Sequence, residues 1–297
     1  MRFNPNINAA VISDIQQSED NLQTAFQQVS TGLRVNSASD DPAASAALVQ
    51  VQAQAANIDQ YTANADSIIA QAQTADGVVS SVVQYLTQAI TLGTEGANSD
   101  ESTADKAAIS AQVKGLLQSV VGLANTTYQG VSLFGGSYSG QAFTGDPTSG
   151  YTYQGNSDVN QVNVGDSLTV QVNIPGSTLF TSSSGNVIAA LSGLATALTT
   201  GTTTDIGNAT AAVTTALNYV TQQHAVYGNT INQLNSQETY LSQEKVTLTS
   251  RENSLVGIDP ATAAEQLSQA ETENSSVLAA AAKVIQNSLL NYLSPTS

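Results

Sequence analysis

At 297 residues the chain is long enough for two domains and a sizeable core, yet only 10% of it is charged, against roughly 25% in an ordinary soluble domain. A net charge of −16, with seven Lys and Arg in all, excludes the basic patch that nucleic-acid binding needs and opposes adsorption to an anionic membrane. There is no cysteine, so disulfides and thiolate metal sites are excluded as well.

The remaining composition favours contact. Hydrophobic residues make up 41%, and the surface must be rich in Ser, Thr, Gln, Asn and Ala. Such a surface can pack against another copy with few ions to desolvate. A solvated linker or stalk would share this composition. No run approaches the roughly 18 apolar residues of a membrane span. Met1-Arg2-Phe3-Asn4-Pro5-Asn6-Ile7 lacks the apolar core and cleavage site of a secretory signal peptide, so any export is expected to leave the front end uncleaved.

In chain order, Val11, Ile15, Ser18, Leu22, Ala25 and Val29 form a short helical seam. Ser39-Asp40-Asp41-Pro42-Ala43-Ala44 then reads as a helix start, with Asp41 as N-cap and Pro42 at the first helical position, where its missing N–H costs nothing. The adjacent carboxylates also admit a cation-binding reading, which two neighbouring Asp residues support weakly. From Leu48 a heptad seam runs through Val51, Ala55, Ile58, Thr62, Ala65, Ile69, Ala72, Asp76, Val79, Val83, Leu86 and Ile90. With no proline inside it, this predicts one helix of about 60 Å. A polar turn from Gly93 to Ser102 leads to a further helix, Ala104 to Asn125.

The middle changes character. Residues 126 to 184 are rich in Gly, Ser, Thr and Tyr, and three short stretches alternate like strands: Tyr151 to Gln154, Gln161 to Val164, and Ser167 to Ile174 ending at Pro175-Gly176. Gly135-Gly136-Ser137-Tyr138-Ser139-Gly140 lacks the Lys-Ser or Lys-Thr of a phosphate loop and reads as turns. A short helix from Asn186 to Leu198 and a linker from Thr199 to Thr204 follow. The second long seam is Val213, Leu217, Val220, His224, Tyr227, Ile231, Leu234, Glu238, Leu241, Lys245, Leu248, Glu252 and Leu255. His224 is the sole histidine and occupies a seam position, which favours a helix-interface role over catalysis. Gly257 and Asp259-Pro260 mark a stop and a restart. The final amphipathic helix carries Leu278, Ala281, Ile285, Leu289 and Tyr292.

The fold expected is mainly α with a β insertion: a long antiparallel coiled-coil rod built from both termini, with a small β-rich domain in the middle. The segments are 1–40 and 259–297 as inner helices, 41–129 and 185–258 as the halves of the rod, and 130–184 as the insertion. Antiparallel pairing places Leu48 near Leu255 and Ile90 near Val213. No catalytic constellation, cofactor motif or metal site is apparent.

Several of these stretches, in order, resemble the flagellin superfamily and in particular its hook–filament junction branch, over roughly residues 1–135 and 205–297. They are Ser30-Thr31-Gly32-Leu33-Arg34-Val35, Ser39 to Ala44, Ala97-Asn98, Ala124-Asn125-Thr126, Gly130 to Gly136 and Ser288-Leu289-Leu290-Asn291-Tyr292-Leu293. Gly32 to Ala38 is more similar to flagellin itself, so the filament subunit stays open, as does a secreted coiled-coil adhesin. The resemblance implies an extracellular structural subunit that is not an enzyme. It implies export through the flagellar channel, an export chaperone on the C-terminal helix, and self-assembly between a hook-associated neighbour and flagellin, with the two long seams as the main assembly contacts. Gln88 and Ile90 stand where receptor-recognised flagellins carry arginine. The end helices, with their small residues, are expected to be marginal alone and to order on assembly.

Overall fold

The structure, a computed structural model, describes residues 6–98 and 102–293, with side chains described over 9–98 and 102–286. Four long helices dominate: α1 (Asn6–Thr31), α2 (Pro42–Gly96), α6 (Thr203–Val256) and α7 (Pro260–Leu293). Between α2 and α6 lie α3 (Thr103–Ala124), eight short strands, the one-turn α4 (Gly176–Leu179) and α5 (Val187–Thr200). The strands form four separate antiparallel hairpins: β1 (Thr127–Tyr128) with β2 (Val131–Ser132), β3 (Phe143–Asp146) with β4 (Gly150–Tyr153), β5 (Gln161–Asn163) with β6 (Thr169–Gln171), and β7 (Thr181–Ser182) with β8 (Gly185–Asn186).

The chain divides into two compact units, 1–57 with 243–297 and 58–242. In the first, α1 lies alongside α7. Val11, Ile15, Ser18, Leu22 and Ala25 face inward from α1, while Ala263, Leu267, Ala270, Val277 and Ala281 face inward from α7. Val29, expected in that seam, is exposed, and Gln28 is the half-buried residue beside it. A second small core joins Val35, Ala44 and Val256 with Leu33, Leu48 and Leu255, so the start of α2 meets the end of α6 as antiparallel pairing requires.

In the larger unit the buried line on α6 is regular: Ile206, Val213, Val220, Tyr227 and Leu234 recur every seven residues. On α2 the inner line is Ala65, Ile68, Ala72, Ala75, Val79, Val82, Leu86 and Ala89. Ile69, Val83 and Ile90, expected on that line, are its half-buried flank. The face is broader than a two-helix seam because α3, α5 and α6 all contribute to one core with α2. Ile90 and Val213 do share that core.

The β segment has no interior of its own. Phe134, Phe143, Ile174 and Phe180 enter the same core as Val79, Leu117, Leu191 and Val220, with Phe180 edge-on to Phe134 at 5.2 Å and to Phe143 at 5.7 Å. Isolated two-stranded hairpins are marginal in water, so these depend on the helices beneath them. The Asn125 side chain serves as a missing strand partner: its amide donates to the Phe143 carbonyl at 2.8 Å and accepts from the Phe143 N–H at 2.7 Å. The β5–β6 hairpin packs Val164 and Val170 on Ala65, Ile68 and Leu234. Asn64 of α2 and Gln237 of α6 donate to its Asn163 and Val164 carbonyls.

Two expected loops are shorter than anticipated. α2 continues to Gly96 into the supposed polar turn, and only Gly201-Thr202 separates α5 from α6. Capping explains both restarts. Ser102 and Asp105 form a reciprocal box at α3, and Thr202 and Asp205 exchange the same bonds at α6. By length and composition α3 could cross a membrane, but Ile109, Val113, Leu117 and Val120 on it are buried in the core.

Candidate assembly interface

The Ser-Asp-Asp-Pro stretch folds into a clasp between two turns of the smaller unit. Gly32, at φ +70°, ends α1 in the left-handed conformation that a side chain would resist, its N–H bonding the Gln28 carbonyl at 2.9 Å. The chain then pairs with the α6–α7 turn: Arg34 N–H donates to the Val256 carbonyl at 2.6 Å, and Ile258 N–H donates to the Gly32 carbonyl at 3.1 Å. The Arg34 guanidinium spans the joint, reaching the Asp41 carboxylate at 3.1 Å and the Leu255 carbonyl at 3.0 Å. Asp41 Oδ1 accepts from the Ala44 N–H at 3.0 Å, capping α2 ahead of Pro42. Asp40 accepts from the N–H groups of Asn36 and Ser37 and from the Ser37 hydroxyl, and the Ser39 hydroxyl contacts that of Ser37.

Electrostatics follow from these bonds. The Ser37 backbone and hydroxyl, then the Asn36 N–H, hold the Asp40 carboxyl below its ordinary value. The Ala44 N–H, then Arg34, does the same for Asp41. Both carboxylates are thus occupied by donors of their own chain. The arrangement is a structural joint with no acid–base pair. Among the described residues no cluster of three His, Cys, Asp or Glu could hold a metal ion.

The residues expected to form an assembly seam are mostly consumed inside the chain. Val51, Ile58, Val79, Leu86, Val213, Val220, Tyr227, Leu234, Leu241 and Leu248 are buried, and Leu48, Ile69, Val83, Ile90, Leu217 and Ile231 half-buried. Uncovered apolar side chains lie on other faces.

The smaller unit offers one. Ile12 (56% exposed) and Phe26 (62%) stand two heptads apart on α1, with Glu19 between them. On α7, Leu278 (48%) and Ile285 (50%) continue a seven-residue line that starts at Glu271. Ala281 lies instead in the buried seam against α1, and the side chains of Leu289 and Tyr292 lie outside the described residues. Phe26 borders a hollow of about 340 Å³ with Leu22, Gln23 and Leu267, rimmed by Glu19 and Glu271. Each end helix thus buries one apolar line on its partner and leaves two large apolar side chains uncovered, with a glutamate on the same spacing. Phe26 and Ile12 were missed in the sequence reading, although their fourteen-residue spacing off the main seam was the available signal.

Comparison with known proteins decides the family. The family model for the bacterial flagellin N-terminal helical region matches residues 3–139, and that for the C-terminal helical region matches residues 210–293. The chain belongs to the flagellin family. The matched regions of this flagellin-family chain hold the clasp, both end helices and most of both long helices. Flagellin B of Helicobacter pylori is 29% identical over 142 residues, which is 46% of this chain and 27% of that protein. The chain therefore matches about a quarter of the length of such curated flagellins. Among solved structures, a chain described as a flagellar hook-associated protein from Vibrio parahaemolyticus superposes with a TM-score of 0.67 at 21% identity, covering 73% of this chain and all of that one. FlgL of Bacillus cereus gives 0.57 at 24% identity, covering 69% and 97%. These likenesses establish a shared fold.

Proposed function

We propose that this chain is a structural subunit of the bacterial flagellum that joins hook to filament by self-assembly. The observation that carries the reading is the set of uncovered apolar side chains on the α1–α7 pair, Ile12, Phe26, Leu278 and Ile285: a helix pair with such a face is suited to burying it against copies of itself. The fold of hook-associated proteins, covered almost end to end by this chain, supports the junction over the filament, as does the Ser288 to Leu293 ending. On this reading its neighbours are other copies, a hook-associated protein on one side and flagellin on the other. It is exported through the flagellar channel, after an export chaperone has held α7 by Leu278, Ile285, Leu289 and Tyr292. No catalysis, cofactor or nucleic acid enters the role.

Flagellin itself is the second reading, favoured by the curated flagellins to which the chain is similar. Immunogold labelling of intact flagella with antibody against residues 130–184 separates the two. A short band at the hook–filament boundary is the expected result. Label along the whole filament selects flagellin, and unlabelled flagella overturn both.

A further inference from the structure

The α1–α7 pair of the smaller unit has two unlike ends. Glu19 and Phe26 of α1 and Glu271 of α7 border one hollow of about 340 Å³, together with Leu22 and Leu267. Seven-residue spacing keeps residues on one side of a helix. Ile12, one heptad before Glu19, therefore emerges on the side of the hollow, as do Leu278 and Ile285, one and two heptads after Glu271. The Ile258–Gly32 hydrogen bond ties the end of α1 to the start of α7, so the helices run antiparallel. Ile12, Leu278 and Ile285 then share the end far from the clasp, as an exposed aliphatic ridge.

Charge divides the same way. Of the acids on the two helices, Glu19, Asp20, Glu265, Glu271 and Glu273 lie in the half nearer the clasp, and Asp14 lies in the far half. The one cation in either helix sequence is Lys283, exposed on the ridge two residues before Ile285. Two copies side by side in register would set glutamate against glutamate and hollow against hollow. Displaced along the axis, the same face complements itself.

We propose that the hollow receives the Leu278–Ile285 ridge of a second copy, lying parallel and shifted by two heptads, about 21 Å at 1.5 Å per residue. The ridge then covers Phe26, Leu22 and Leu267, and Lys283 reaches the level of Glu19 and Glu271. The contact is head-to-tail. It leaves a ridge open on one copy and a hollow on the other, so copies add in a row without closing. The inference rests on the self-assembly proposed above and gives it a direction.

The chain has no cysteine, so single thiols in the full chain report the contact. Glu271→Cys and Lys283→Cys stand twelve residues apart on one helix, about 18 Å, too far for an internal disulfide. Mixed and oxidised, the two variants are expected to give a disulfide dimer that neither gives alone, and adding Leu278→Asp to the Lys283→Cys chain should abolish it. A chain carrying both cysteines should give a ladder of multimers. Dimers from either variant alone, a ladder that stops at two copies, or no disulfide in the mixture would overturn the proposal. Immunogold labelling tests the flagellar reading separately, so the two failures are distinguishable.

Discussion

Replacing Phe26 by alanine should weaken association while leaving the fold of the single chain nearly untouched. The ring is 62% exposed, and a phenylalanine side chain presents about 200 Å², so roughly 120 Å² is free for a neighbour to cover. At about 25 cal/mol per Å² that area is worth close to 3 kcal/mol per copy, or about 2 kcal/mol after subtracting what the alanine methyl keeps. Since about 1.4 kcal/mol is tenfold in affinity, self-association should weaken on the order of thirtyfold. Inside the chain, the covered part of the ring only borders an open hollow with Leu22 and Leu267, so no closed cavity forms. Alanine's better helix propensity returns about 0.5 kcal/mol. The net change in monomer stability should stay under about 1 kcal/mol. Sedimentation equilibrium across three decades of concentration measures the first quantity, and thermal unfolding by circular dichroism at low concentration measures the second. Unchanged association would show that this face is not an interface. A large fall in Tm would show that Phe26 belongs to the core.

The converse experiment is Leu234→Ala. Leu234 is fully buried against Ala65, Ile68, Val164 and Val170, so its loss should cost about 3 kcal/mol and lower Tm by roughly 6–12 °C, with no separate effect on association. Gly136→Ala should destabilise by about 1–3 kcal/mol, because its φ is +71° and a Cβ would lie 2.1 Å from the Asn156 side-chain oxygen and 2.7 Å from its carbonyl; urea unfolding reads this directly. Acid should open the clasp. Asp40 and Asp41 lie below their ordinary values, so their stabilisation is complete above the unfolded value and disappears as the pH falls through the folded one. Amide exchange of Asn36, Ser37 and Ala44 should therefore accelerate below about pH 4 before exchange in the larger unit does. Uniform protection down to pH 2 would contradict this.

Much of this chain was legible because heptad periodicity is a one-dimensional signal. A strip of Ala, Val, Leu and Ile at steps of three and four has one low-energy use, burial along a helix. The positions of α2, α3, α5, α6 and α7 followed from it, and Asp41-Pro42 announced its cap because capping chemistry is local. Three features could be decided only in three dimensions. Ile68 and Ile69 are equally apolar neighbours, and which one points to the centre depends on the β5–β6 hairpin laying Val164 and Val170 beside Leu234 of α6, a geometry that no single-helix pattern contains. The middle segment reads as an independent β domain because alternation reports strands without reporting what they lie on; its phenylalanines in fact complete a helical core. Arg34 bonds the Leu255 carbonyl, 221 residues away in sequence, and nothing local to either residue signals that joint. Phe26 shows the same limit in another form. Sequence establishes that an apolar side chain tends toward burial, but only tertiary structure shows that its own chain leaves it uncovered and open to another molecule.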